Sequence, residues 1–134
     1  MNSTYAIQII KGKTNSASVK KLLEQSYWAK DRPLELIESA MAHSLNFGVF
    51  LEDELVGFGR VVTDYSTIYW LCDVIIDAEH RGQGLGKKLV STITNHKTIS
   101  GIRGILATAD AHGLYAQYGF ETLPDRLMSK KRPD

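Results

Sequence analysis

The sequence predicts an α/β domain with a mixed, mostly antiparallel sheet of six or seven strands and about four helices. Helical patterns precede and follow three successive strand-like segments that are joined by short polar turns. A glycine-rich turn then separates an apolar strand from an amphipathic helix. The chain has 134 residues and no repeat or flexible linker, so we expect residues 1–134 to form a single domain.

The first part of the chain predicts one strand and two helices. The β-branched and aromatic content of Tyr5–Ile10 predicts the strand. Apolar residues at helical spacing predict the helices, and the second one follows Asp31 and Pro33, which are typical of a helix start. These apolar residues are Val19, Leu22 and Leu23 in the first helix and Leu34, Ile37 and Met41 in the second.

The rest of the chain predicts the meander, a third helix and the closing elements. Segments 47–51, 55–62 and Ile68–Ile76 predict consecutive strands, with turns at 52–54 and 64–66. The helix after the glycine turn carries Leu85, Leu89, Val90 and Ile93 on one side. Beyond it we expect a strand at 102–109, a short helix at 111–118 and closing strands at 120–123 and 127–130.

The composition indicates a globular protein and argues against nucleic-acid and membrane partners. A 43% hydrophobic and 23% charged content is that of an ordinary globular protein, and the net charge is only +1. The 16 basic residues are scattered along the chain, which argues against nucleic acid as a partner. The single cysteine, Cys72, fits a buried structural thiol in a reducing compartment. With no signal peptide or bilayer-length apolar run, we expect a cytoplasmic protein without a membrane partner.

The glycine turn Arg81-Gly82-Gln83-Gly84-Leu85-Gly86-Lys87 is the strongest local signal in the sequence. Its glycines permit positive φ angles, and the helix that follows directs unpaired N–H groups at one spot, which suits a phosphate or diphosphate. A P-loop would need glycine at position 81 and Ser or Thr at position 88, and a dinucleotide fingerprint would need glycine at position 87. Both patterns fail, although a tight turn without any ligand remains open.

Two signatures in this chain resemble those of the GNAT superfamily of acetyltransferases. The first is Arg81-x-x-Gly84-x-Gly86 after a strand that ends Val74-Ile75-Ile76. The second is the segment 110–120, which ends Tyr115-x-x-x-Gly119-Phe120. Their order, and the order of elements over nearly the whole chain, match a small bacterial-type member, so the resemblance implies a GNAT fold.

The resemblance implies that acetyl-coenzyme A (acetyl-CoA) binds along this strand and turn. The main chain of the strand would pair with the pantetheine arm, and the amides of residues 83–87 would bind the diphosphate. Ala78 stands where family members often have proline, and Asp110 stands where many have asparagine. The implied cofactor-binding residues are Val74, Ile75, Ile76, Arg81, Gly82, Gln83, Gly84, Leu85, Gly86, Lys87, Asp110 and Tyr115.

Three side chains are candidates for proton transfer. Tyr115 matches the family tyrosine that gives a proton to the departing thiolate, although it could also be a half-buried packing residue. Asp73 is the favoured base, because strand alternation places it opposite Val74 and Ile76, where a carboxylate could instead only steer a cationic amine. His112 is the alternative base, since imidazole titrates near neutrality, unless it only forms local hydrogen bonds.

Tyr27, Trp28 and Trp70 are candidates for binding the acceptor. The aromatic pairs 27–28 and 69–70 also fit core packing, which we expect for one residue of each pair because neighbours on a strand face opposite sides.

The resemblance favours direct transfer of an acetyl group to a primary amine, without metal and without a covalent intermediate. Cys72 has no histidine beside it in sequence to activate it as a nucleophile. A non-catalytic acyl-CoA-binding module is the alternative, and a nucleotide-binding protein is a more distant one. The acceptor, whether a small molecule or a peptide or protein amine, is left open, as is a homodimer.

Overall fold

The computed structural model describes residues 4–133, which form one five-stranded sheet with helices on both faces. A short 3-10 helix, Ala78–His80, lies between β4 and α3. The main elements in chain order are β1 (Tyr5–Ile10), α1 (Ser16–Leu23), α2 (Leu34–Ala42), β2 (Leu45–Leu51), β3 (Glu54–Thr63), β4 (Ile68–Ile76), α3 (Leu85–Thr94), β5 (Arg103–Leu106) and α4 (His112–Ala116).

The strands lie in the sheet in the same order as in the sequence, from β1 to β5. The first four are joined in antiparallel pairs, as the meander prediction requires, and β5 pairs parallel to β4. The predicted mixed, mostly antiparallel α/β sheet with four α-helices is therefore confirmed. The β4–β5 pairing is short, and it runs only from Ile68 opposite Arg103 to Leu71 opposite Leu106.

The sheet has a separate hydrophobic core on each face. On one face α1 and α2 pack against β3 and β4, with Phe58 and Ile75 buried beneath them. On the other face α3 lies over Val49, Val61 and Leu71. Burial of each such side chain stabilises the fold by about 1.5–3 kcal/mol. Of the helix residues predicted to form apolar stripes, Leu34 at the start of α2 is 38% exposed, so that part of the prediction is wrong. The others are buried, namely Val19, Leu22 and Leu23 in α1, Ile37 and Met41 in α2, and Leu85, Leu89, Val90 and Ile93 in α3.

An irregularity in β4 changes which side chains face which core. Phe58 pairs with Ile75 and Arg60 pairs with Cys72. The single residue between Phe58 and Arg60 on β3, Gly59, therefore lies opposite two residues on β4, Asp73 and Val74. Asp73 has a φ of 55°, a left-handed conformation that is uncommon for a residue other than glycine. A β-bulge of this kind bends the strand and redirects its side chains. Beyond the bulge, Ile75 packs under α1 and α2, whereas Leu71 before it packs under α3.

The prediction of six or seven strands is wrong, because the two closing strands do not form. Segments 120–123 and 127–130 have no strand conformation, and no residue of the later one is buried. A strand segment is stable only where a neighbouring ladder takes up its N–H and C=O groups and one face is buried. Pro124, directly after segment 120–123, cannot donate a main-chain hydrogen bond to a strand ladder. In segment 127–130, Leu127 and Met128 face solvent instead of a core.

Candidate active site

The glycine turn presents bare main chain at the start of α3. Gly82 and Gly84 have φ angles of 81° and 79°, a left-handed conformation that glycine adopts readily and that is strained in residues with a side chain. The helix begins at Leu85, and its first regular hydrogen bond is made by the N–H of Lys88 to the carbonyl of Gly84. The N–H groups of residues 85–87 therefore lack helical acceptors. The space beside Gly82, Gly84 and Gly86 is open, so an anion can approach them.

Side chains from the turn brace it against the rest of the fold. The Nε of Arg81 donates to the carbonyl of Ile76 at 2.9 Å. The Nε2 of Gln83 donates to the Tyr5 hydroxyl at 3.2 Å and to the His80 carbonyl at 3.3 Å. These two side chains thus hold the turn in shape, while the main-chain N–H groups stay available.

The end of β4 is an open strand edge beside this turn. Because β4 and β5 stop pairing after Leu71 and Leu106, residues 74–76 have no strand partner on the β5 side among the described residues. An unpaired strand edge presents a row of N–H and C=O groups to whatever extended group lies beside it. The structure therefore brings Val74, Ile75 and Ile76 next to the glycine turn, as two parts of one continuous surface.

The short helix α4 brings His112 and Tyr115 to a cavity of about 1350 Å³. The cavity lies between β5, α4 and segment 119–127, and its lining includes neither residues 74–76 nor the glycine turn. The hydroxyl of Tyr118 donates to the carbonyl of Lys87 at 3.0 Å, which ties the end of α4 to the start of α3. The cavity thus borders the main-chain surface without forming part of it. The main-chain surface, not the cavity, has the geometry that binds an anion and an extended chain.

Tyr115 is held in a setting that keeps its hydroxyl protonated. Its ring packs edge-to-face on Phe120, with the ring centroids 6.1 Å apart. Burial raises the pKa of Tyr115, and the negative charge of nearby Asp110 raises it further. A phenol with a raised pKa is a proton donor over the whole physiological range.

Asp73 is enclosed by three donors on the face of β4 that packs against α1 and α2. Its side chain is only 3% exposed. Its Oδ1 accepts from the indole Nε1 of Trp28 at 3.0 Å. Its Oδ2 accepts from Nη1 of Arg32 and from Nε of Arg60, both at 2.9 Å. We call Asp73, Arg32 and Arg60 the arginine–aspartate cluster.

This setting disfavours the expected role of Asp73 as a base. Burial acts to raise the pKa of Asp73, but the charges and hydrogen bonds of Arg60 and Arg32 outweigh burial and lower the pKa below its usual value. A carboxylate with a lowered pKa accepts a proton poorly at neutral pH. Neighbouring Cys72 is half-buried, and burial raises the pKa of its thiol to about 11, so the thiol stays protonated.

No sequence motif indicated the two arginines of the cluster. Arg32 follows α1 in the connection to α2, and Arg60 lies on β3, far from either signature. The only available signal was their position, since Arg60 lies in the predicted strand before β4 and Arg32 is four residues after Trp28, a predicted acceptor-binding residue. Only the folded chain brings them together on one carboxylate.

The aromatic candidates lie partly as expected. In the strand pair, Tyr69 is buried in the core under α3 and Trp70 is half-buried, which confirms core packing for one of the two. Tyr27 and Trp28 instead are 71% and 43% exposed and pack edge-to-face with centroids 5.2 Å apart. The prediction that one of these two packs in the core is wrong, because both lie in the α1–α2 connection, where strand alternation does not apply.

Three predicted absences of partners stay predictions. Among residues 4–133 no helix has the length and apolar character needed to cross a bilayer. The same part of the chain shows no group of three or more acidic, histidine or cysteine side chains placed to hold a metal ion. The absence of a nucleic-acid partner is likewise untested.

Comparison with known proteins now adds to this geometry. A solved structure described as a putative acetyltransferase of the GNAT family from Xanthomonas campestris pv. campestris is 40% identical, with a TM-score of 0.89, and the match covers 97% of this chain and 94% of that one. The aminoglycoside N-acetyltransferase AAC(6')-Iy, solved with CoA, has a TM-score of 0.73 over 99% of this chain and 98% of its own. At 17% identity it shows the fold alone.

Curated sequences agree with the structural match. An uncharacterized N-acetyltransferase, ycf52, of Gracilaria tenuistipitata var. liui is 32% identical over 118 residues, which is 83% of this chain. The chain spans 64% of the length of that algal protein. The family described as the acetyltransferase (GNAT) domain matches residues 43–122, which include the bulged strand, the glycine turn and Tyr115. The chain is therefore a member of the GNAT acetyltransferase family.

Proposed function

We propose that this protein is an N-acetyltransferase that moves an acetyl group from acetyl-CoA directly to a primary amine of a small molecule or a peptide. One observation carries the proposal. The unpaired edge of β4 at residues 74–76 lies beside the free N–H groups at the start of α3. A strand-like arm that ends in a diphosphate needs both features, in this order.

The main chain supplies the binding groups for acetyl-CoA. Residues 74–76 would hydrogen-bond to the pantetheine arm as a neighbouring strand does. The N–H groups of Leu85, Gly86 and Lys87, at the positive end of the α3 dipole, would hold the diphosphate. The diphosphate fits this turn only if the space beside the glycines is free. No side chain fills the space beside Gly82, Gly84 and Gly86. Asp110, exposed before α4, is a further candidate contact.

Acetyl-CoA, when bound, supplies an activated thioester, so the protein itself needs only to polarise the acyl carbonyl and to protonate the leaving sulfur. The N–H groups at the end of β4 would polarise the acyl carbonyl as negative charge builds on its oxygen. Tyr115, with its pKa raised, would give its hydroxyl proton to the departing sulfur. These residues position and protonate, and none forms a covalent bond to the acetyl group.

Removal of the amine proton falls to solvent or to His112. His112 is the first residue of α4 and lines the same cavity as Tyr115. Asp73 is better suited to hold neighbouring groups in place than to accept a proton, because two arginines already neutralise its carboxylate. Tyr27, Trp28 and Trp70 remain the aromatic candidates for the acceptor side.

Calorimetry and thiol detection test the proposal together. Titration of CoA into the purified protein should give saturable heat, and acetyl-CoA with a panel of primary amines should release free thiol. Desulfo-CoA, which keeps the diphosphate and pantetheine arm, should bind comparably and give no thiol. No binding heat for any of these compounds would reject the site. Binding without thiol release for any amine would favour the non-catalytic module.

A further inference from the structure

The arginine–aspartate cluster carries more positive than negative charge. Arg32 and Arg60 each place a guanidinium against the same oxygen, Oδ2 of Asp73, at 2.9 Å. Two cations share one carboxylate, which leaves one positive charge without a partner inside the cluster. Asp73, which holds both guanidiniums, lies on β4 at the bulge, one residue before Val74 on the proposed acetyl-CoA edge.

The two arginines differ in what they can still bind. Arg60 is 16% exposed, and its Nη1 donates to the Oγ of Ser44 at 3.1 Å. Arg32 is 22% exposed, and among residues 4–133 its guanidinium bonds only to Asp73. A guanidinium has five N–H donors in a planar fork, which fits the two oxygens of a carboxylate. Arg32 therefore has donors to spare, and Arg60 acts as its fixed neighbour.

Aromatic rings lie beside these spare donors. The indole of Trp28 bonds to the other oxygen of Asp73, and the ring of Tyr27 packs against it. Both rings are exposed to solvent. The Nζ of Lys20 donates to the main-chain carbonyl of Arg32 at 2.9 Å, which adds a second cation to this segment, although Glu24 pairs with it at 3.7 Å. The surface is thus cationic at its centre and apolar at its rim.

We propose that the acceptor is an amine that also carries a carboxylate, and that Arg32 binds this carboxylate. The inference rests on the acetyltransferase function proposed above. In the reaction the C–S bond of the thioester breaks and an amide C–N bond forms. Starting from the neutral amine, one N–H proton is lost to His112 or solvent, and the sulfur leaves as a thiol that has taken its proton from Tyr115. Solvent then returns a proton to the Tyr115 hydroxyl. Nothing is oxidised or reduced, and the carboxylate serves only to place the amine.

Charge decides between this acceptor and two others. A phosphate monoester carries between −1.5 and −2 charges at neutral pH, more than the single unpaired positive charge of the cluster. A polycationic acceptor would meet like charge at Arg32, at a cost in affinity. The neighbours named as aminoglycoside N-acetyltransferases are similar in fold alone. One carboxylate on the acceptor is the best match to one surplus guanidinium.

Matched acceptor pairs test the inference. Free amino acids and short peptides would be compared with their carboxamides in the thiol-release assay, with spermidine and an aminoglycoside as cationic acceptors. We expect kcat/KM to be about 10- to 100-fold higher for the acids, as for a hydrogen-bonded charge pair. Equal or better use of carboxamides or polyamines would overturn the inference and leave the proposed function standing. Binding of CoA with no thiol release from any amine would reject both.

Substitution of Arg32 assigns the effect to one side chain. Arg32→Gln should lower the ratio of kcat/KM for the acids to kcat/KM for the carboxamides from its wild-type value to about 1. Arg32→Lys keeps the charge but loses the planar fork of donors, so its acid-to-amide ratio should lie between those of the wild type and Arg32→Gln. Arg126→Gln, at an exposed position of the C-terminal segment, is the matched control. An unchanged acid-to-amide ratio in Arg32→Gln would overturn the assignment.

Two measurements guard against a merely structural effect of the Arg32 variants. The affinity for CoA, measured by calorimetry, should stay within about twofold if only the acceptor side is changed. Fluorescence of the chain's two tryptophans, Trp28 in the site and Trp70 on β4, should respond to an N-acetylated acid and not to its amide in the wild-type protein. If Arg32→Gln fails to fold, Arg32→Lys and the wild-type acid-to-amide ratio still decide the question.

Discussion

The Nε of Arg60 lies 2.9 Å from Oδ2 of Asp73, between neighbouring strands at the point where β4 is bulged. The bulge places Asp73 on the face of α1 and α2, and Arg60 reaches it from β3. Asp73 adopts a φ of 55° at this point, a conformation whose cost the surrounding contacts must offset. The ion pair and the bulge therefore support each other, which leads to the first two predictions.

Asp73→Asn should destabilise the protein by about 3 kcal/mol, because it removes one partner of a buried ion cluster and leaves two guanidiniums facing each other. The free energy of unfolding in urea measures this effect. Asp53→Asn, at an exposed turn position, is the control and should change stability by less than about 0.5 kcal/mol. A loss at position 73 no larger than that of the control would show that the cluster contributes nothing to stability.

Acid should remove the contribution of Asp73 to stability. Its pKa is lower in the folded protein than in the unfolded chain, where it is about 3.9. The folded state therefore gains stability from Asp73 at all pH values above about 4, and loses it as the pH falls through the folded value. The stability difference between wild type and Asp73→Asn should be constant from pH 7 to 5 and shrink below pH 4. A difference that grew on acidification would contradict the lowered pKa.

Tyr115→Phe should lower kcat by about 100-fold or more, the usual contribution of a positioned general acid. The affinity for CoA should stay nearly unchanged, because the main chain of β4 and α3 provides the binding groups. Calorimetry and single-turnover thiol release measure the two effects separately. Tyr65→Phe, in the exposed β3–β4 turn, is the matched control. Near-normal turnover in Tyr115→Phe would exclude the role of general acid.

Gly84→Ala should weaken CoA binding and reduce stability without any steric clash. Nothing lies within 4 Å of a Cβ at this position, so the cost comes from the φ of 79° alone. A left-handed conformation costs an ordinary residue about 1–2 kcal/mol. Relief of that strain would turn the N–H groups of the turn away from the anion. Gly101→Ala, also open but without a positive φ, should have no such effect on CoA titrations.

Gly104→Ala should destabilise the sheet by about 1–3 kcal/mol, the usual cost of overpacking. A Cβ at Gly104 would overlap the ring of Tyr69, its register partner on β4. The cost should be smaller in a Tyr69→Leu background, where the ring is gone. Thermal unfolding of the two single variants and the double variant measures this coupling. Purely additive losses would show that the ring and Gly104 do not compete for space.

Much of the fold was predictable because it depends on local pattern. Alternation and turn residues indicated the meander, and the buried stripe of α3 matched Leu85, Leu89, Val90 and Ile93. The closing strands failed because the apolar residues at 120–130 satisfy a local pattern yet find no strand partner. Strand formation depends on a partner that local sequence does not describe.

The sequence by itself determined the glycine turn, since three glycines between a strand and an amphipathic helix leave few other conformations. It also determined Tyr115 as the candidate acid, through its signature. Only the tertiary structure decided the surroundings of Asp73. Arg32, Arg60 and Trp28 approach it from two other segments of the chain. A pKa depends on charges that are near in space, so sequence placed the carboxylate on the correct face but could not foresee that arginines would occupy it.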